Sequence, residues 1–564
     1  MSVAAADTGA TFRARIAHLV AQLYPDRVEE VTGRLVDLVA GRRGPGHPPL
    51  SERTAYLITY GDAVRRPGEP PLHTLATVLH DHVGDLVSGV HLLPMFPWTS
   101  DDGFAVVDHR QVNPALGTWA DVAELAADHD LMFDFVANHV SSSSGWFRGW
   151  LAGDPAYGGF FLERDPAFDT SAVVRPRVSP LHHRYPRPGG GEVEAWTTFG
   201  ADQVDVDVAS PEVLLELTDV LLGYLERGAS AIRLDAIGYL WKESGTTSIH
   251  LPQTHAVVKL WRVVVDHVAP GTLLLTETNV PHAENISYFG AGDEAHMVYQ
   301  FALPPLVLHS FVAGDTTRLS QWAAGIGPVG PRMTWFNFLA SHDGIGMTPA
   351  QGLLDDAERA ALVERAEAHG GRVSMAARPD GSERVYELNV SYLDALSTPD
   401  EVADDELAAA KAVAAHSILV SFVGVPAIYY HSLFGSRSDV AGMAASGINR
   451  RINRQALDAD TLGEQLRADP RRRAVFDGLA RLLRTRAAQP GLAPDASQAV
   501  EVLDPRVFAV RRAAGTPEEL VCVTNVTGQR IRLPDVTGTD VLTGAPVAPL
   551  ELGPYGYAWV RPNR

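Results

Sequence analysis

The chain has a single cysteine, Cys522, among its 564 residues. That excludes an intramolecular disulfide framework and a multi-cysteine metal centre, and it suits a reducing compartment. No apolar run reaches the roughly 20 residues needed to cross a bilayer, and no basic patch followed by an apolar stretch opens the chain. The expectation is a soluble, cytoplasmic protein with no membrane partner. Lysine is also scarce: Lys242, Lys259 and Lys411 are the whole set, and the formal charge is −21. Such a surface argues against a general nucleic-acid binder, which needs clustered cations against phosphate. It leaves room for an anionic small molecule held by a few arginines. Gly189-Gly190-Gly191 is not followed by Lys and Ser or Thr, so it reads as a turn and not a phosphate loop. His80, His82, His182 and His183 lack carboxylates at metal-ligand spacing, and the Ser141–Ser144 run reads as a loop with no base placed beside it. No metal and no cofactor are expected. Repeats and low-complexity segments are absent too.

What is present is an ordinary globular balance, 46% hydrophobic and 20% charged, in a chain long enough for about two to four domains. Apolar positions at helical spacing (Ile16, Leu19, Val20, Leu23, then Val28, Val31, Leu35, Val39) predict helices between Thr11 and Arg43, closed by the Gly and Pro of 44–49. Short apolar runs then recur, starting at Tyr56, Gly89, Leu131, Ala231, Thr272, Met297, Trp335 and Val425. Eight such runs, mostly separated by helical patterns, are the count of a parallel (β/α)8 barrel. Their continuous rather than alternating hydrophobicity suits a sheet buried on both faces. The α/β reading therefore divides the chain into an N-terminal helical extension (1–50), a TIM barrel (51–140, 209–343 and 400–490), inserted subdomains after the third and seventh strands (141–208 and 344–399), and a C-terminal antiparallel β domain (491–564). Insertions that follow barrel strands fall at the C-terminal face, where such barrels carry their active sites.

The most informative stretch is Ala231-Ile232-Arg233-Leu234-Asp235. Arg233 and Asp235 leave the same face of a strand, and a carboxylate there must be paired or used. A buried ion pair and an active-site carboxylate are both open on this stretch alone. The wider pattern weighs on the second. Asp235 ends the fourth strand, Glu277 the fifth, and Asp343 follows the seventh, while Asp134, Asn138 and His139 mark the third. Three acids at one rim are poor stability devices, because like charges raise one another's pKa. Paired carboxyls are what retaining glycosyl transfer requires: one attacks the anomeric carbon and the other, protonated, donates to the leaving oxygen.

Asp134-Phe135-Val136-Ala137-Asn138-His139, Arg233-Leu234-Asp235-Ala236, Glu277 and His342-Asp343 resemble the four ordered motifs of the α-amylase superfamily, glycoside hydrolase family 13. The resemblance implies Asp235 as nucleophile, Glu277 as general acid/base and Asp343 as transition-state stabiliser. It further implies that Arg233 keeps the nucleophile ionised and that His139 and His342 bind glucosyl hydroxyls. Ala236-Ile237-Gly238-Tyr239, Phe301 to Leu306, Ser341 to Gly346 and Ile452-Asn453-Arg454 are similar to the sucrose phosphorylase branch over roughly 55–485. That likeness implies a one-sugar pocket closed by Asp101 and Arg450, with Phe104 as stacking platform and Gln203 as a further pocket residue. Glu277-Thr278-Asn279 has asparagine where sucrose phosphorylases usually have histidine. Together with Thr278 to His282, Tyr288 to Asp293 and the N-terminal extension, it resembles the glucosylglycerate phosphorylases. The expected reaction is phosphorolysis of glucosylglycerate to α-glucose 1-phosphate and glycerate, with inorganic phosphate as co-substrate. Sucrose, sucrose 6-phosphate and glucosylglycerol are the alternative substrates, and hydrolysis or transglucosylation the more distant alternative. Phosphate and an anionic acceptor need cations. Arg177, in Arg175-Pro176-Arg177, resembles a phosphate-contacting arginine of the branch, and Arg175 and Asn279 are further candidates. Against this stands a merely solvated arginine-rich loop. A monomer or homodimer is expected.

Overall fold

The computed structural model describes residues 9–377 and 382–563. Eight parallel strands close a barrel: β1 (Tyr56–Thr59), β2 (Gly89–Leu92), β3 (Asp130–Val136), β4 (Ala229–Asp235), β5 (Leu273–Thr276), β6 (Met297–Tyr299), β7 (Thr334–Asn337) and β8 (Val425–Tyr429). They coincide with the eight apolar runs. The strands pair in sequence order, and β8 closes onto β1 with Tyr56 opposite Ala427. Each of the seven residues of β4 is buried, so its continuous hydrophobicity records a sheet covered on both faces.

The helix layer explains where the long apolar segments go. Helices Pro211–Glu226 and Pro252–Val268 both open on proline, whose missing N–H falls where no intrahelical acceptor exists. Helix Asp405–Ser421 starts on Asp404, whose carboxylate accepts from the amides of Glu406 and Leu407. From Lys411 to Ser421 it is buried on every side, and it packs on helix Pro470–Ala487, helix Leu303–Ala313 and strand Leu520–Asn525 of the C-terminal sheet. Trp559 of that sheet donates its indole N–H to Ser417 at 3.2 Å. The sheet is antiparallel and six-stranded, and part of its core is continuous with that of the barrel.

The N-terminal residues form helices Gly9–Leu23 and Val28–Val39. They lie on helices Pro252–Val268 and Pro211–Glu226 respectively, so the segment is a second layer of the barrel wall. Tyr24 fixes the link between them, donating to the Val208 carbonyl at 2.6 Å.

Between β3 and β4, strand His139–Ser141 pairs with Gln203–Asp205, and His182–Pro186 pairs with Glu192–Trp196 across a turn in which Gly190 and Gly191 take φ of 92° and 82°. In the serine run, Ser144 caps helix Gly145–Leu151 while Ser141 and Ser142 bond to Asp202. Between β7 and β8, strand Ile345–Gly346 comes first, helix Asp356–Ala368 follows, and strands Arg372–Ala377 and Glu383–Asn389 complete a three-stranded sheet with Glu383–Asn389 at its centre; residues 378–381 of this segment lie outside the described residues. No helix among the described residues is long and apolar enough to cross a membrane.

Candidate active site

Parallel register sets the first contact. Asp134 on β3 stands opposite Arg233 on β4, so their side chains project on the same side and meet as a buried ion pair. The same guanidinium nitrogen reaches Asp235 Oδ1 at 2.8 Å. His91 on β2 lies 2.7 Å from the other Asp134 oxygen. Burial raises the Asp134 carboxyl, but Arg233 and His91 outweigh it and hold the group below the ordinary range. Asp134 is thus a permanent anion that positions Arg233.

Just beyond Asp235 the chain turns through Ala236 in the left-handed conformation (φ 50°), which costs a non-glycine residue roughly 1–2 kcal/mol. The turn aims the Ala236 amide at Glu277 Oε2, 3.1 Å away, and so joins the ends of β4 and β5. Asp235 and Glu277 form a buried, mutually repelling pair. Burial comes first in raising both; Glu277 adds to the rise at Asp235, Asp343 adds to it at Glu277, and Arg233 opposes it at each. Such a pair holds a proton that an isolated carboxyl would have lost. Of the two, only Asp235 accepts a hydrogen bond from Arg233, and burial outweighs that cation at both carboxyls. Asp343 differs: burial raises it, yet Arg450 at 2.6 Å and Arg454 at 3.7 Å hold it below the ordinary range.

The remaining sequence-derived candidates gather around these acids. His139 Nε2 lies 3.0 Å from the Phe104 carbonyl, and Gln203 Nε2 lies 3.2 Å from His139 and 3.4 Å from Asp101 Oδ2. Arg450 stands 4.0 Å from Asp101. Burial lowers the pKa of both His139 and His342, so both rings are neutral and can accept and donate. Phe104, expected as a stacking platform, is 4% exposed and lies parallel to His342, with centroids 4.9 Å apart. In this structure it braces His342.

On the opposite side, Arg177 lies over the Tyr386 ring, 5.2 Å from its centroid, and Asn279 donates to the Tyr386 hydroxyl at 3.3 Å. Arg177 is close enough for its charge to help lower Asp343. Arg175 sits by His182 and His183 instead; it follows burial in depressing His183, and at His182 it comes after burial and Arg164.

Several residues of the site escaped the sequence reading. Glu387 clasps Arg450 from the 344–399 segment, and Asp102 pairs with Arg451 and Arg454. Asp101 and Asp102 both have positive φ (52° and 50°), which turns their neighbouring carboxylates toward different partners. The adjacent Gly103 (φ 117°) was the visible sign of this turn.

Comparison with known proteins agrees with this geometry. Residues 81–324 match the family "Alpha amylase, catalytic domain". A glucosylglycerate phosphorylase of Allomeiothermus silvanus is 48% identical over 546 residues, 95% of this chain and 96% of that protein. One from Escherichia coli is 43% identical over 516 residues, 90% and 92% of the two chains. The crystal structure of sucrose 6F-phosphate phosphorylase from Thermoanaerobacter thermosaccharolyticum superposes with a TM-score of 0.73 at 25% identity, covering 84% of this chain and 94% of that one.

Proposed function

The chain belongs to the α-amylase family, glycoside hydrolase family 13, within its sucrose phosphorylase branch, and from that premise we propose that it phosphorolyses glucosylglycerate. The reaction is glucosylglycerate plus phosphate to α-glucose 1-phosphate plus glycerate. Asp235 attacks the anomeric carbon as the glycosidic bond breaks, and the Glu277 proton passes to the departing glycerate oxygen. The product of this half-reaction is a β-glucosyl ester of Asp235. Phosphate then attacks the ester while Glu277 takes up a proton, and the second inversion restores the α configuration. Asp343 and Arg450 hold ring hydroxyls, and the Asp343 anion stabilises the positive charge that develops at the ring. Phosphate is a co-substrate, and the reaction needs neither metal nor organic cofactor.

The observation that carries the reading is the division of the cleft. Its glucosyl side has anionic Asp343 and the charged Arg233–Asp235 pair, and its acceptor side has Arg177 with no carboxylate partner among the described residues. A site for neutral acceptors and water has no use for that cation; successive anions, glycerate and phosphate, do. The proposed enzyme is soluble and cytoplasmic and works as a monomer or homodimer on small molecules. Purified protein incubated with glucosylglycerate and phosphate should release α-glucose 1-phosphate, with the anomer assigned by NMR. Release of glucose at a rate independent of phosphate would overturn the reading in favour of a hydrolase.

A further inference from the structure

Neighbouring residues on a regular strand face opposite ways, yet Tyr386 and Glu387 both reach the cleft. The register explains it. Ala376 pairs with Arg384 and Met375 with Val385, but Ser374 pairs with Glu387, so Tyr386 is the extra residue of a β-bulge. Two residues earlier, Arg384 leaves the strand on the same face as Tyr386.

Apart from Arg177, the other arginines around the catalytic acids are committed. Arg233, Arg450, Arg451 and Arg454 each contact at least one carboxylate. Arg384 has none among the described residues: its Nη1 donates to the neutral Gln351 Oε1 at 2.9 Å, and its Nε is buried without a partner. A guanidinium N–H shut away from water with no acceptor is costly, and an incoming anion relieves that cost. Arg177 lies over the Tyr386 ring and Arg384 leaves the strand on the Tyr386 face, so the two cations flank one volume; both also oppose the rise that burial, Tyr386 and Glu277 impose on the Tyr239 phenol. Arg177 lies over Tyr386, whose hydroxyl accepts from Asn279 two residues past Glu277, whereas Arg384 bonds to Gln351, which sets Arg177 nearer the reacting carbon.

The chemistry of the two anions matches that order. When an oxygen of phosphate attacks, the other oxygens lie two bonds from it. The carboxylate oxygens of glycerate lie at least three bonds from the linking oxygen. We propose that Arg384 reads the carboxylate of the acceptor and thereby sets the preference for glycerate, with Arg177 left to the phosphate. This rests on the phosphorylase reading above and assigns its acceptor specificity to a residue of the 344–399 segment.

The test is the reverse reaction from glucose 1-phosphate, with glycerate and its neutral analogue glycerol as competing acceptors. The quantity read is the ratio of kcat/KM for glycerate to that for glycerol, from which the amount of folded enzyme cancels. Arg384→Gln should shrink the ratio by about 100-fold, through a raised KM for glycerate, and Arg384→Lys should restore part of it. A ratio unchanged in Arg384→Gln overturns the proposal. So does a wild-type enzyme that does not prefer glycerate; if it still exchanges labelled phosphate into glucose 1-phosphate, the phosphorylase reading survives. Failure of that exchange as well would overturn both.

Discussion

Arg450 holds Glu387 through two parallel hydrogen bonds, Nε to Oε1 at 2.9 Å and Nη2 to Oε2 at 3.0 Å, while its Nη1 stands 2.6 Å from Asp343. One guanidinium thus ties the hairpin of the 344–399 segment to a catalytic-rim acid. Glu387 is 1% exposed, so its loss leaves Arg450 with an unmatched edge in a buried place.

Glu387→Gln should therefore cost about 10- to 100-fold in kcat/KM without unfolding the protein. The amide keeps the volume and loses the bidentate acceptor. Steady-state kinetics beside circular dichroism checks it; an unchanged kcat/KM would show that Asp343 alone positions Arg450.

On the proposed mechanism, Asp235 and Glu277 should separate by leaving group. Asp235→Ala removes the nucleophile and should lower kcat by at least about 10⁴-fold on every substrate. Glu277→Gln removes only the proton donor. It should abolish cleavage of glucosylglycerate while retaining phosphate-dependent consumption of α-glucosyl fluoride, whose fluoride departs without a proton. Equal loss on both substrates in Glu277→Gln would contradict its role as acid.

The barrel and the rim that gathers Asp235, Glu277 and Asp343 were legible for one physical reason. Each barrel strand is a continuous apolar run, and a carboxylate at its end stands out against that background, as Asp235, Glu277 and Asp343 do. The contacts that tune the site were not legible. The Tyr386 bulge is a one-residue slip, and the sequence Val385-Tyr386-Glu387 has no alternation that marks it. Arg454 and Asp102 meet across 352 positions, and no local pattern records such a pair. Phe104 was legible as a pocket residue but not as a brace, because stacking on His342 depends on how two loops from different strands meet.

Acid stability should be governed by buried neutral histidines. Burial pushes His109, His296 and His416 down to about 4, and His431 to about 3. In the unfolded chain these rings take up a proton near pH 6.5. Between about pH 6.5 and 4 the unfolded state therefore binds more protons, so stability is present above that window and is lost as the pH falls through it. The slope is about 1.4 kcal/mol per pH unit for each histidine involved. Thermal melts from pH 7 to pH 5 should show a steadily falling Tm. His416→Gln, whose amide can donate to the Ala412 carbonyl that His416 Nδ1 approaches at 2.7 Å, should flatten part of the fall. A Tm independent of pH across the window would refute the assignment.

The N-terminal helices supply the last prediction, which separates an appendage from a structural layer. Ile16 is fully buried between helix Gly9–Leu23 and the barrel wall, and the nearby Phe12 stacks on His267 of helix Pro252–Val268 with centroids 4.2 Å apart. A detachable extension would lose Ile16 without consequence for the rest. A wall layer would not: truncation to alanine leaves a cavity and costs about 2–5 kcal/mol. Ile16 does not contact the rim that carries Asp235, Glu277 and Asp343, so Ile16→Ala should lower the midpoint of denaturant unfolding while leaving kcat and KM at 25 °C near their wild-type values. Unfolding followed at once by far-UV circular dichroism and by loss of activity should give a single shifted transition. Two separate transitions, with activity surviving the first, would mean that the helices fold apart from the barrel.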